Sequence, residues 1–266
     1  MSSINRMFAE SRNFFDLPEV EKLKCTNDHS DWGYTRYLGE IVNPESQACG
    51  DTKEGYYIVG VNETGDKNIW PESRPNFKTV MLEYHHECLT LSKLILHIIS
   101  QAAGLDKTHF DPYFEVNPSA ILRLLKYSTE PSDPDAGIYG TGPHCDYGMF
   151  TLLMVESQPG LQIFYRNMWV DVPPKRDHFI VNLGDCLQAW TNGFFKSTLH
   201  RVLTVSPEVR YSTAFFFEPS TDTIVCCLPE FVEPDIPVTY QPFKFGDYLR
   251  DKYLKTHAKS IGGVGY

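Results

Sequence analysis

This sequence lacks the features that mark disulfide-stabilised, zinc-ribbon and secreted proteins. It contains seven cysteines, an odd number, and no two of them form a C-x-x-C pair. Neither a disulfide framework nor a zinc ribbon is therefore indicated, and we expect reduced thiols. There is no run of about 18 apolar residues, and the opening MSSINRMFAESRNFF has no apolar signal-peptide core. These absences predict a cytoplasmic protein that does not enter a membrane.

Positive charge is also scarce. The chain has 24 lysines and arginines against 34 aspartates and glutamates, a formal net charge of -10 at pH 7. An acidic chain repels phosphate backbones, and no Lys/Arg-rich run interrupts it, so we expect no nucleic-acid partner. No repeat and no Pro/Gly/Ser-rich linker divides the 266 residues, of which 42% are apolar. The sequence therefore predicts one domain over residues 1–266 with a substantial core.

The front part, residues 1–116, is typical of helices and irregular segments. Ser3 is a candidate N-cap for a first helix, which ends at the break Asp16-Leu17-Pro18. Residues 28–75 are rich in Gly, Pro, Asn and Asp and indicate a long irregular stretch. Residues 76–104 predict the longest helix of the chain. Apolar side chains follow its 3,4 spacing: Phe77, Val80, Met81, Tyr84, Leu91, Leu94, Ile95 and Ile98.

After residue 117 the spacing of apolar side chains changes from helical to strand-like. About eight short β-rich runs are separated by turn signals at roughly 8–12-residue spacing, a pattern typical of sandwiches and barrels. The runs are AILRLLKY, MFTLLMVE, LQIFY, WVDV, FIVNL, STLHRVLTV, YSTAFFF and TIVCCL. We predict a mainly β protein with helices: a double-stranded β-helix (jelly-roll) core over residues 117–242, a helical N-terminal part, and a C-terminal helix and tail over residues 243–266.

The stretch GPHCDYGMFTLLM places His144 and Asp146 at the start of an apolar run. Two polar side chains there are expensive to bury unless something binds them. Side chains at i and i+2 share a face of a strand, so the two can converge, and STLHRVLTV supplies His200 from another strand. Two imidazoles and one carboxylate form a 2-His-1-carboxylate set, which suits non-haem Fe(II), although zinc also accepts these ligands. His144, Asp146 and His200 are therefore candidate metal ligands.

A second pair, Arg210 and Ser212, again stands at i and i+2 in the run VRYSTAFFF. An arginine buried in a β barrel needs an anionic partner. One interpretation is an external carboxylate, which Arg210 binds through two parallel hydrogen bonds and Ser212 through its hydroxyl. The alternative is an arginine at the barrel rim that pairs with Glu208 or Glu218. The residues alone leave both interpretations open.

Two aromatic residues are weaker candidates for substrate contacts. Alternation after Arg210 places Phe216 toward the barrel interior. Trp190 precedes the turn TNG and could wall a substrate pocket, with packing in the core as an equal alternative.

These elements together resemble the iron(II)/2-oxoglutarate-dependent dioxygenases, in their isopenicillin N synthase-like branch of plant, fungal and bacterial small-molecule oxygenases. The resemblance covers nearly the whole chain, through the motifs KEGYY, RLLKY, HCD, TLL, GLQ, VNLGD, WTNGFFKSTLHRV, RYS and FFFEP. It implies a double-stranded β-helix in which His144, Asp146 and His200 bind iron. It also implies that Arg210 and Ser212 hold the far carboxylate of 2-oxoglutarate.

Tyr127 enters through this resemblance alone. It matches a tyrosine of the family's NYYP segment, whose hydroxyl contacts the co-substrate. The sequence departs from the family there, because Leu125 replaces the asparagine and Ser128 replaces the proline. The departure puts one co-substrate contact in question.

The resemblance implies Fe(II) as cofactor and 2-oxoglutarate and O2 as co-substrates, with succinate and CO2 as co-products. The expected activity is hydroxylation or desaturation of a small organic molecule. Two alternatives remain open. One is an Fe(II) oxidase of the isopenicillin N synthase type that uses no 2-oxoglutarate, in which Arg210 and Ser212 bind a substrate carboxylate. The other is a truncated, non-catalytic metal-binding remnant.

Family members usually begin with a strand-forming segment ahead of the helix with which this chain opens. Without that strand, we expect an open sheet edge and less cover for Phe8, Phe14 and Phe15. Such an edge favours self-association or a rearranged segment that covers it. We therefore also expect the chain to be less stable than a longer relative.

Overall fold

The computed structural model describes residues 2–26, 32–61, 65–115 and 118–257 of the chain. The helices are α1 (Ser3–Phe15), α2 (Glu19–Leu23), α3 (Pro75–Ala102), α4 (Pro112–Glu115), α5 (Asp185–Trp190) and α6 (Phe245–His257), with a 3-10 turn at Pro229–Phe231. The strands are β1 (Gly33–Thr35), β2 (Lys53–Val59), β3 (Ser119–Tyr127), β4 (Thr141–His144), β5 (Phe150–Val155), β6 (Leu161–Tyr165), β7 (Met168–Asp171), β8 (Ile180–Leu183), β9 (His200–Val202), β10 (Arg210–Glu218), β11 (Ile224–Val225) and β12 (Phe243–Lys244). Within these residues no helix is both long and apolar enough to cross a membrane.

Six antiparallel strands form the larger sheet, in the order β1-β2-β3-β10-β5-β8. The prediction of an irregular stretch over residues 28–75 is wrong in part, because β1 and β2 lie within it. Strand β2 shows no polar/apolar alternation because most of its residues are buried on both faces of the sheet. The predicted division of the chain at residue 117 therefore does not follow a boundary in the sheet. That the whole chain forms one domain stays a prediction.

Four antiparallel strands form the second sheet, in the order β4-β9-β6-β7. Side chains from both sheets pack between them in one apolar cluster: Leu125, Tyr127, Leu153, Val155, Leu161, Val202 and Ala214. Two facing sheets are the arrangement of a jelly roll, so the predicted mainly β fold with a helical front part is confirmed. The sequence did not predict β4, because Gly142 and Pro143 interrupt its pattern. It lies at a sheet edge, where a strand tolerates proline.

Helices α1 and α3 pack together on the other face of the larger sheet, where the main hydrophobic core lies. Phe8, Phe14 and Phe15 belong to this core and are at most 3% exposed. The prediction that these three side chains are more exposed to solvent is therefore wrong. Phe14, for example, makes edge-to-face ring contacts with Tyr34 and Tyr56, which lie on β1 and β2.

Helix α3 covers nearly the predicted range, but the predicted apolar stripe is only partly correct. Leu94 and Ile98 are 59% and 62% exposed, whereas His85 is buried. Nε2 of His85 lies 2.9 Å from the Ala120 carbonyl oxygen on β3. The helix has more apolar positions than one face can hold, so contacts with the sheet decide which of them face the core.

Candidate active site

His144, Asp146 and His200 lie together in the interior of the jelly roll. One potential ligand atom from each residue lies within 4.8 Å of the other two. The Nε2 atoms of His144 and His200 are 3.9 and 3.7 Å from Oδ1 of Asp146. Asp146 and His200 are buried, and His144 is half-buried. The structure therefore brings together the three residues that the sequence predicted as metal ligands.

Strand pairing explains why two histidines far apart in the sequence meet. His144, the last residue of β4, stands directly opposite His200, the first residue of β9, and their ring centroids are 4.2 Å apart. Asp146 lies in the connection from β4 to β5 rather than on a strand. Its carbonyl oxygen accepts a hydrogen bond from the backbone N–H of Asp185 at 2.9 Å. The i, i+2 argument predicted the right neighbours, but a connecting segment, not a strand, carries the carboxylate.

Backbone hydrogen bonds set the tautomers of the two imidazoles. Nδ1 of His144 lies 2.8 Å from the Gly142 carbonyl oxygen, and Nδ1 of His200 lies 2.9 Å from the Thr198 carbonyl oxygen. Each Nδ1 therefore donates its proton, which leaves Nε2 with a lone pair on the side of the carboxylate. Burial, together with the neighbouring His200, lowers the pKa of His144 to about 3, so this imidazole is neutral near pH 7.

The carboxylate of Asp146 has one oxygen that the protein does not satisfy. Oδ2 is buried and has no hydrogen-bond partner among the described residues. A buried carboxylate oxygen without a partner costs free energy, which a cation would remove. The two imidazole nitrogens beside it complete a donor set of two nitrogens and one oxygen. The residues present therefore fit a divalent metal ion, and the set suits Fe(II).

Arg210 lies in the same cavity and is 4% exposed. Its Nη1 donates to Oγ of Ser212 at 3.1 Å, and its Nε has no partner in the part of the chain that the structure describes. The alternative of a rim arginine paired with an acid is wrong. Glu208 is exposed, and Glu218 accepts instead from Oγ of Ser119 at 2.7 Å. Burial lowers the pKa of Arg210, as expected for a cation without an anionic partner.

Tyr127 forms part of the wall around Arg210. The guanidinium carbon of Arg210 lies 4.6 Å from the centre of the Tyr127 ring. The Tyr127 hydroxyl accepts a hydrogen bond from Oγ1 of Thr141 at 3.4 Å. Leu125, which replaces the family's asparagine, is also a cavity residue and supplies only apolar surface there. One polar contact of the family's pattern is therefore absent at this position.

The two weaker candidates for substrate contacts lie in different places. Phe216 is half-buried and lines the cavity. Trp190 is fully buried in the main core, where its ring packs against Phe110 and Tyr113. The prediction that Trp190 walls a substrate pocket is therefore wrong, and the core-packing alternative describes it.

The sequence interpretation missed four buried charged residues beside the cavity. Lys53 and Arg123 line it, and Glu40 pairs with both, its Oε2 lying 3.0 Å from Nζ of Lys53. Asp51 pairs with Lys53 as well. Burial alone would raise the pKa of Glu40, but Arg123 and Lys53 outweigh it and hold that pKa below its usual range. The two acids balance the two bases, so these cations are already partnered, unlike Arg210.

Asp51 of this group also holds the strand that carries His144. Oδ1 of Asp51 accepts from the backbone N–H of Gly142 at 3.0 Å, and the carbonyl of Gly142 in turn orients His144. Nearby, Nδ2 of Asn43 donates to the carbonyl oxygen of Pro143 at 2.9 Å. The segment between β1 and β2 thus fixes β4 in place. The motif KEGYY was the available signal, but it lies in the stretch predicted to be irregular.

Glu218 is a further buried carboxyl in this region. It is 3% exposed and lines a part of the cavity that also includes His144 and Asp146. The pKa of Glu218 is raised to about 7, and burial is the main cause. The hydrogen bond from Ser119 partly opposes this rise, and the negative charge of Asp146 adds to it. The folded protein therefore binds a proton at Glu218 more tightly than the unfolded chain does.

We expect the Glu218→Gln variant of the metal-free protein to melt several degrees above the wild type at pH 8, with a much smaller difference at pH 5. The reason is that ionised Glu218 destabilises the fold as the pH rises from 4.5, the ordinary pKa, to about 7, the raised one. By linkage this loss is about 3 kcal/mol at pH 8, and glutamine does not suffer it. Thermal melts at both pH values measure it, with the exposed Glu83→Gln as control. Equal differences at the two pH values would contradict the pKa assignment.

Comparisons with known proteins identify the family. A sequence profile described as "2OG-Fe(II) oxygenase superfamily" matches residues 118–219, and another described as "non-haem dioxygenase in morphine synthesis N-terminal" matches residues 1–77. Kihadalactone A synthase LFS from Citrus sinensis is 33% identical over 97% of this chain and 82% of its own length. The chain belongs to the 2OG-Fe(II) oxygenase superfamily.

Solved structures agree with this assignment. This 2OG-Fe(II) oxygenase superposes on JOX2 in complex with 2OG, Fe and JA with a TM-score of 0.82, at 32% identity, covering 94% of this chain and 73% of the other. A full-length Neurospora crassa protein in complex with alpha-KG and thymine gives a TM-score of 0.82 at 29% identity, covering 95% and 83%. The chain is therefore a non-haem Fe(II)- and 2-oxoglutarate-dependent dioxygenase that oxidises a small organic molecule, with succinate and CO2 as co-products.

Proposed function

We propose that His144, Asp146 and His200 are the iron ligands of this dioxygenase. The unsatisfied Oδ2 of Asp146 and the two Nε2 lone pairs beside it support the proposal. When bound there, iron(II) supplies the open positions at which 2-oxoglutarate and O2 react, so that a C–H bond of the substrate is oxidised. The chain's own contribution is to keep His144 neutral and to hold both imidazoles through the Gly142 and Thr198 carbonyls.

The buried guanidinium of Arg210, which has no acidic partner among the described residues, is the observation that supports 2-oxoglutarate as the co-substrate. A buried guanidinium without an acidic partner is costly, and a dicarboxylate is the chemistry that removes this cost. We assign Arg210 and Ser212 to the carboxylate of 2-oxoglutarate that lies away from the iron. The ring of Tyr127 stacks on the guanidinium and positions it, and its hydroxyl remains a candidate co-substrate contact.

Arg123 is proposed as a contact for the primary substrate. One edge of its guanidinium is held by Glu40, and its plane stacks 4.2 Å from the centre of the Tyr57 ring. Its Nε, however, is buried without a partner among the described residues. That N–H would donate to an oxygen of the substrate, whereas Phe216 would contact an apolar part of it.

The proposed function is tested by adding Fe(II) and 2-oxoglutarate anaerobically and then admitting O2. We expect 2-oxoglutarate to bind the iron-loaded protein and slow succinate formation without a primary substrate. Fractions of a metabolite extract that contain the substrate should accelerate succinate release. Iron binding without either 2-oxoglutarate binding or succinate formation would contradict the proposal and favour the 2-oxoglutarate-independent oxidase.

Location and partners are further proposals. We infer a cytoplasmic protein without nucleic-acid or membrane partners, consistent with its net charge of -10. We also infer self-association through the β1 edge of the larger sheet, because an edge strand presents unpaired backbone groups. Light scattering on the purified chain tests the self-association.

A further inference from the structure

Alternation along β10 divides the cavity into two halves. Arg210 at one end and Glu218 at the other lie on the same face, with Ser212, Ala214 and Phe216 between them. Neighbours on one face of a strand are roughly 7 Å apart. 2-oxoglutarate is a five-carbon diacid, so a molecule whose far carboxylate is bound by Arg210 does not extend along β10 as far as Glu218. Phe216 and Glu218 lie in the half that is left for the primary substrate.

This far half contains a carboxyl group without a cationic partner. Glu218 makes one hydrogen bond, from Oγ of Ser119, and no lysine, arginine or histidine nitrogen of the described ranges lies within ion-pair distance of it. Glu40, the other buried glutamate that lines this half, is neutralised by Arg123 and Lys53. Apart from the proposed metal ligand Asp146, Glu218 is thus the acid of this cavity that has no cationic partner among the described residues.

The neighbouring backbone accommodates the Glu218 side chain in this position. A Cβ atom on Gly148 would lie 2.5 Å from Cγ of Glu218, so a larger residue there would displace the side chain. On the other side, Glu218 is directly paired with Ser119 across the β3–β10 ladder, and this pairing brings the Ser119 hydroxyl to the carboxyl. The position of the carboxyl is therefore set by the fold rather than by a salt bridge.

We infer that Glu218 is a specificity residue whose carboxyl accepts a hydrogen bond from an N–H or O–H group of the primary substrate, while the substrate body contacts Phe216. The inference rests on the proposed function, which assigns the opposite end of the cavity to 2-oxoglutarate. A site built to accept from a substrate N–H or O–H strongly rejects analogues that lack it. The substrate class is therefore a small molecule that carries such a donor.

The experiment uses a panel of matched ring compounds on the protein loaded with iron and 2-oxoglutarate. The probes are uracil, 2-pyridone, indole and phenol, each compared with the derivative in which the N–H or O–H is methylated. We expect at least one unmethylated compound to bind wild-type protein tenfold or more tightly than its methylated partner. Glu218→Leu should remove that difference, whereas Glu218→Gln should retain part of it, because the amide oxygen still accepts.

Two controls separate this inference from the proposed function. Glu83→Gln, an exposed substitution outside the cavity, should keep the wild-type preference for the unmethylated compound. Binding of 2-oxoglutarate to the iron-loaded wild type, followed by its stabilisation against heat, reports on the proposed function alone, because that co-substrate is assigned to the Arg210 end of the cavity. The inference is overturned if no pair is distinguished by methylation, or if Glu218→Leu preserves the difference. If wild-type protein forms no succinate, the proposed function fails, while donor-dependent binding that is lost in Glu218→Leu still supports the role of Glu218.

Discussion

Asp146→Ala is expected to lower the iron content of the reconstituted protein from roughly one ion per chain to nearly none, and to abolish succinate formation. Asp146 supplies the carboxylate of the proposed set, and two imidazoles alone hold a divalent ion weakly. His144→Ala should have a similar effect, because it leaves one imidazole and one carboxylate. Metal analysis after anaerobic loading and desalting measures the loss directly.

The fold should survive this substitution. The Oδ2 atom of Asp146 has no partner among the residues that the structure describes, so alanine removes a buried, unsatisfied oxygen rather than a packing contact. Circular dichroism of the metal-free Asp146→Ala protein should therefore match that of the metal-free wild type. His178→Ala is the matched control, since His178 is exposed and lies outside the cluster. Stoichiometric iron in Asp146→Ala would show that the ligand assignment is wrong.

Arg210→Lys is expected to raise the apparent Michaelis constant for 2-oxoglutarate by roughly one to two orders of magnitude, and Arg210→Ala by more. Lysine keeps the charge but loses the planar pair of donors that matches a carboxylate. It also cannot reproduce both the hydrogen bond to Ser212 and the stacking on Tyr127. The constant for the primary substrate should change much less, because Arg210 lies at the co-substrate end of the cavity.

A binding measurement checks the same prediction without turnover. Addition of 2-oxoglutarate should raise the melting temperature of the iron-loaded wild type, since a ligand stabilises the state that it binds. The increase should be much smaller in Arg210→Lys and unchanged in Arg176→Lys, whose side chain is 86% exposed. Equal increases of both Michaelis constants would indicate a general packing defect. An effect on the primary substrate alone would favour the 2-oxoglutarate-independent oxidase.

Local patterns in the sequence predicted much of the fold and the site. The strand runs from residue 119 to residue 218 are mostly correct because alternation and turn residues depend on near neighbours. His144, Asp146 and His200 stood out because polar groups beside an apolar run need a partner. The same reasoning made Arg210 a candidate ligand for an external carboxylate but left a pairing with Glu208 or Glu218 open. The structure excludes that pairing, because Glu208 is exposed and Glu218 accepts from Ser119.

Other features depended on which segments meet, and sequence patterns did not predict them. Lys53 lies in a strand buried on both faces, so it shows no alternation, and its partner Glu40 comes from the connection before it. Trp190 follows a strand near the metal cluster, yet it turns into the main core. On α3 the sheet decides that His85 is buried while Leu94 is exposed.

By itself, the sequence determined the chemistry available to this protein: two imidazoles, a carboxylate and an arginine on β-rich segments of an acidic chain. Tertiary structure decided which of these groups share a cavity, because β4 pairs with β9 and brings His144 opposite His200. It also decided that Lys53 and Arg123 are neutralised while Arg210 and Glu218 are not. The physical reason is that residue type sets the charge of a group, whereas burial and pairing across distant segments set whether that charge needs a ligand.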